Sequence, residues 1–106
     1  MEWPIVLLVE LAGKEIEALT RALQQENVLV LTEGSMLRAA MHVTQHRPQV
    51  VVAPSSLPME RTHALRDAAR DSATEFVLVG QNGEVGALRT QIVDALARAV
   101  ARRAKK

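Results

Sequence analysis

The sequence predicts an α/β fold, a doubly wound parallel sheet of about four strands held between two layers of helices. Four short apolar runs, Ile5 to Val9, Val28 to Leu31, Val50 to Ala53 and Phe76 to Val79, begin 23, 22 and 26 residues apart. They are apolar throughout rather than alternating, the pattern of strands buried on both faces, and each interval can hold a crossover helix. Right-handed crossovers would wind them into one three-layer domain spanning residues 1–106.

Each interval reads as a helix. In Lys14 to Asn27, Ile16, Leu19 and Leu23 recur at three- and four-residue spacing, opposite Glu15, Glu17, Arg21 and Gln24. Gly34-Ser35 offers an N-cap for a second helix carrying Leu37, Ala40, Met41 and Thr44, and Pro48 limits its length. Thr62 is the expected cap of a third helix running to Arg70 and burying Leu65, Ala68 and Ala69. From Val85 to Arg103 the stripe Leu88, Ile92, Ala95, Leu96, Ala99 and Val100 marks a fourth, supported by the helix propensity of alanine. This last helix can lie beside the first or join the other two, but one helix cannot cover both faces, so part of one face is expected to be underprotected.

At 106 residues the chain is long enough for one core, burying roughly 65% of the surface that its unfolded form exposes. Cysteine is absent, which excludes disulfides, thiolate metal sites and a cysteine nucleophile, and fits a reducing, cytoplasmic address. No apolar run approaches the ~20 residues that span a bilayer. Net charge is +1 but uneven: Arg98, Arg102, Arg103, Lys105 and Lys106 give the last nine residues +5, leaving 8 basic against 12 acidic residues elsewhere. Such a tail can attract nucleic acid or an acidic partner. Equally, it complements the negative end of a helix dipole.

In open parallel sheets the chemistry gathers beyond the C-terminal ends of the strands. Here those positions hold Glu10-Leu11, Thr32-Glu33, Pro54-Ser55-Ser56 and Gly80-Gln81-Asn82. With "PIVLLVE", "NVLVLTEGSMLRAAMHVTQHRPQVVVAPSSLP" and "FVLVG", the chain resembles the receiver domains of two-component response regulators over residues 4 to about 82. The resemblance implies a flavodoxin-like, receiver-like sheet. It also implies two acidic residues after the first strand, a phosphoacceptor aspartate ending the third, a hydroxyl after the fourth and a lysine after the fifth. The acids would hold a divalent cation through oxygen, and the lysine would offset phosphate charge.

The chain departs from that pattern at almost every position. Glu10 matches one acid, but Leu11 replaces the other; Pro54, four residues before Pro58, stands at the phosphoacceptor position, and Gly80 where the hydroxyl belongs. Proline offers neither a nucleophilic oxygen nor a metal ligand, so aspartyl phosphorylation there is chemically impossible. Glu10 alone is too little for a magnesium site, and no bound metal or cofactor is expected. After Gly80 only 26 residues remain, enough for one patterned helix, so one βα unit of the resembled fold is missing. The Phe76 to Val79 strand then becomes an edge with unpaired backbone groups.

Other features read as structural. Ser55 and Ser56 are turn formers before Leu57-Pro58. Gly80, Gly83 and Gly86 lack the spacing and the lysine of a phosphate loop. His42 and His46, four apart, have zinc-compatible spacing only if a third ligand is near, and His63 shows no acidic partner that would make it catalytic. Trp3 is equally suited to anchoring a partner or packing under the sheet edge. The expectation is therefore not an enzyme but a phosphorylation-independent, receiver-like protein interaction module of bacterial signalling or cell organisation, self-associating as a homodimer. Its expected contact residues are Phe76, Val77 and Val79 of the edge strand and Leu88, Ile92, Leu96, Arg102 and Arg103 of the terminal helix. The alternative is a DNA-binding or regulatory module using that basic helix.

Overall fold

The computed structural model describes residues 3–57, 59–80 and 85–104. Four parallel strands alternate with four helices: β1 (Ile5–Val9), α1 (Gly13–Leu23), β2 (Leu29–Glu33), α2 (Met36–His46), β3 (Val50–Pro54), α3 (Met59–Asp71), β4 (Glu75–Val79) and α4 (Val85–Ala104). A short 3-10 turn, Gln24–Glu26, follows α1. The strands lie in the order β2-β1-β3-β4, so the chain reverses direction across the sheet between β2 and β3, the doubly wound arrangement.

The two central strands explain the uniformly apolar runs. Val6 and Leu8 of β1, with Val50 and Val52 of β3, face α1 and α4 together with Leu19, Leu23, Leu88 and Ile92. Leu7, Val9, Val51 and Ala53 face the opposite way, against Met36, Ala39 and Val43 of α2 and Leu65 of α3. Every one of these strand residues is essentially inaccessible to water. Each buried Val or Leu contributes about 1.5–3 kcal/mol relative to exposure, and truncating Ile92 to alanine is expected to cost about 2–5 kcal/mol.

Local chemistry moves several boundaries. Asn27 takes a left-handed conformation (φ 55°) after the 3-10 turn, and the Leu29 amide donates to the Pro4 carbonyl at 2.8 Å. β2 therefore starts at Leu29 rather than Val28 and runs on to Glu33. Ser35 caps α2 as expected, accepting from the Arg38 amide, but the buried stripe is Met36, Ala39 and Val43. Leu37 and Met41 are exposed, because two apolar stripes about 100° apart compete on this helix and the other is nearer the sheet. α3 begins at Met59, so Thr62 lies inside it, buried, its hydroxyl donating back to the Met59 carbonyl at 3.1 Å instead of capping.

α4 packs beside α1 and crosses β4 and β3, completing that face. Arg89 joins it to the end of α1 by bonding the Ala22 carbonyl and the Glu26 carboxylate. Val100, expected in the buried stripe, is instead about half exposed. The opposite face carries α2 and α3; α3 reaches β4 but leaves Leu78 38% exposed and Phe76 half-buried. The expected shortfall in helical cover thus shows at both edges of the sheet, on Leu78 of β4 and on Leu29 of β2, which is 47% exposed.

Candidate functional site

The strand-end residues singled out from the sequence lie together at one end of the sheet. Glu10 follows β1 with a positive φ of 51°, and its amide donates to the Glu33 carbonyl at 2.8 Å. Leu11 turns into the core beneath α1 and α4. Pro54 ends β3 half-buried, Gly80 follows β4, and the Ser55 amide donates to the Val79 carbonyl at 2.9 Å. Ser55 and Ser56 form a turn. Among the described residues no group of three or more His, Asp or Glu side chains is placed to hold a metal ion. Gln81, Asn82 and Gly83 lie outside the described residues.

Glu33, placed at a strand end by the sequence but given no role there, organises the neighbouring strand end. One carboxylate oxygen accepts from the Ser35 amide at 3.1 Å, and the other lies 3.6 Å from Nε2 of His42. His42 meets His46 edge to face, with ring centroids 5.5 Å apart. His63, expected to lack an acidic partner, has Asp67 one turn on at 3.5 Å; the pair is largely exposed and reads as a surface contact.

Three cations of the basic terminus have partners within the molecule. Glu75, at the start of β4, accepts from Arg98 at 2.8 Å and from Arg102 at 2.5 Å. Burial would raise its carboxyl pKa, but these two hydrogen bonds and the charges behind them outweigh it and hold the pKa below the ordinary value. Arg103 reaches across the base of the sheet to the carbonyls of Arg47, Pro48 and Ser72 at 2.8, 3.0 and 3.1 Å. Three of the five cations proposed for nucleic acid therefore have internal partners. Lys105 and Lys106 lie outside the described residues. Leu88, Ile92 and Leu96 are buried against the sheet, so these proposed contact residues serve the core instead. Trp3 is 58% exposed rather than packed away.

The edge of β4 is accessible. Its Glu75 amide donates to Gln49, and its Val79 carbonyl accepts from Ser55, so residues 75, 77 and 79 turn their backbone groups towards β3. The alternation of a parallel ladder then turns the N–H and C=O of Phe76 and Leu78 outward. Two grooves flank this edge. One, of about 410 Å³, lies on the α3 side between Arg66, Arg70, Phe76 and Leu78; the other, of about 300 Å³, lies on the α4 side along Gln91, Asp94 and Arg98. The Arg66 guanidinium stands 5.6 Å from the Phe76 ring centroid.

The fold recurs in solved structures. The signal receiver domain of a LuxO repressor protein from Vibrio parahaemolyticus superposes with a TM-score of 0.71 at 16% identity, over 98% of each chain. The fold is that of a receiver domain. A response regulator from Desulfuromonas acetoxidans matches this receiver-like chain with a TM-score of 0.67 at 13% identity, over 90% of this chain and 97% of its own. A response regulator protein from Burkholderia multivorans gives 0.61 at 16% identity, over 90% and 95%. No family model matches the sequence, and no curated protein matches it. Among the described residues no helix is long and apolar enough to cross a membrane.

Proposed function

We propose that this chain is a receiver-like protein interaction module of bacterial signalling or cell organisation that works by binding, without phosphorylation and without catalysis. The observation that carries this reading is the pairing of a proline at the end of β3 with an apolar, unpaired β4 edge. The position that would accept phosphate has no side-chain oxygen, while the strand beside it keeps backbone groups available to another chain. Edge strands are usually blunted by charge, proline or a bulge, and Phe76 to Val79 has none of these.

Capture from the source cell tests the reading, using the unmodified chain and Leu78→Pro as baits. The Leu78 amide points away from β3, so proline there removes no hydrogen bond of the sheet but blocks pairing at the edge. A protein retained by the first bait and lost by the second supports the proposal. Retention of the same proteins by both baits sinks it, as does an acyl phosphate formed on the unmodified chain with acetyl phosphate and magnesium.

A further inference from the structure

We infer that the β4 edge takes an extended segment of a different protein, one that carries carboxylates two residues apart on the side facing α3. This rests on the reading above and names the chemistry of the partner. The N–H and C=O of Phe76 and Leu78 point away from β3, so the edge offers donors and acceptors in alternation. A peptide backbone answers both kinds, whereas a phosphodiester backbone only accepts and would leave the outward carbonyls unpaired.

Charge decides the side chains. The α3-side groove is lined by Arg66, Ala69, Arg70, Thr74, Phe76 and Leu78, two cations and no carboxylate. Arg66 is exposed, and among the described residues it has no carboxylate partner, only the ring of Phe76. Arg70 is 75% exposed and shares Asp67 and Asp71 at 3.4 and 3.7 Å, surface pairs of the kind that contribute little. The α4-side groove differs: Arg98 there is held by Glu75, and Asp94 is the remaining charge. One face of an added strand thus meets available positive charge, and the other meets a carboxylate.

Spacing sharpens the match. Arg66 and Arg70 stand one turn apart, about 6 Å along α3, and alternate residues on one face of a strand are about 6.6 Å apart. Carboxylates at alternate positions therefore reach both guanidiniums, with glutamate stems lying against Phe76 and Leu78. The residue between them faces the Val77 and Asp94 side and is uncharged or basic. Glu15 and Glu17 are the only acidic residues of this chain two positions apart, and they lie within α1. A second copy supplies no such strand, so the partner is another protein.

Fluorescence anisotropy with the full chain tests the inference, using a short labelled peptide that alternates glutamate with valine. It should bind about tenfold more tightly than its glutamine counterpart. Arg66→Ala and Arg70→Ala should each weaken it by about threefold, with circular dichroism unchanged, and Arg66→Glu with Arg70→Glu should turn the preference to a lysine counterpart. N-methylation of one alternate set of peptide amides should abolish binding while the other set is tolerated, because only one set faces β4; that comparison leaves the domain unaltered. Equal binding of the glutamine peptide, or of an oligothymidylate of the same charge, overturns the acidic strand, as do equal effects of the two N-methylations. A dimer of this chain in sedimentation that Leu78→Pro abolishes also overturns it, by giving the edge to a second copy. If no peptide binds, yet a cellular protein is retained by the unmodified chain and lost with Leu78→Pro, the acidic occupant falls and the interaction module stands. If neither binds, both fall.

Discussion

Arg103 donates from Nη2 to the carbonyl oxygen of Pro48 at 3.0 Å, fastening the end of α4 to the segment that enters β3. The same guanidinium bonds Arg47 and Ser72, at the ends of α2 and α3. Helix C-termini leave carbonyls without intrahelical partners, and one side chain serves two of them here. Burial, then the charges of Arg47 and Arg102, lower the arginine's pKa, yet it stays cationic at any ordinary pH. Arg103→Ala is expected to destabilise the domain by about 2–3 kcal/mol, measured by urea unfolding, because several partly buried carbonyls lose a charged donor. Arg103→Lys should recover only part of that loss.

Glu75 sets an acid limit. Its folded pKa lies below the ordinary carboxyl value of 4.5, so the unfolded chain binds the proton more tightly. The stabilisation is therefore present above about pH 4.5 and is lost as pH falls through the lower, folded value. Half-exposed Arg98 and Arg102 keep the effect modest through solvent screening. Glu75→Gln should flatten the acid side of a stability-against-pH curve and leave the neutral side less stable. An unchanged acid slope would contradict the assignment.

Ala73 adopts a φ of 56° after α3, where its amide reaches the Arg70 carbonyl at 3.2 Å. A methyl group costs about 1 kcal/mol in this left-handed region, and glycine removes that strain while adding freedom to the unfolded chain. Ala73→Gly is expected to stabilise by about 0.5 kcal/mol, seen as a higher melting temperature. A lower one would mean that the turn gains more from the methyl than it loses.

Pro54→Asp supplies a carboxylate at the end of β3 and nothing else. With Leu11 in the core and a glycine at position 80, a second acid and a hydroxyl are still missing. The variant is expected to fold and to remain unmodified by acetyl phosphate with magnesium, read by intact mass. A stable acyl phosphate on it would show that a single substitution restores the chemistry.

The sheet was the most legible part because its signal is local. Strands buried on both faces must be apolar at every position, and Ile5 to Val9 is read to the residue. Helix faces were harder. On α2, Leu37 and Met41 obey the same spacing as Met36 and Val43, and only the neighbouring α3 and sheet decide which stripe is covered. Thr62 looked like a cap because its hydroxyl can serve either the helix start or a carbonyl one turn back. That Pro54 and Leu11 bring no side-chain oxygen to the strand ends follows from their residue types wherever they point. The uses of Glu75, Arg98, Arg102 and Arg103 do not follow in this way. Their partners lie 23 to 56 positions away, a distance that no local pattern spans.

A β3 that ends in Pro54 offers no carboxylate to charge there, so under the proposed function an acyl phosphate at that position does not time the binding. How much complex forms then follows the amounts of the two partners, which synthesis and proteolysis set.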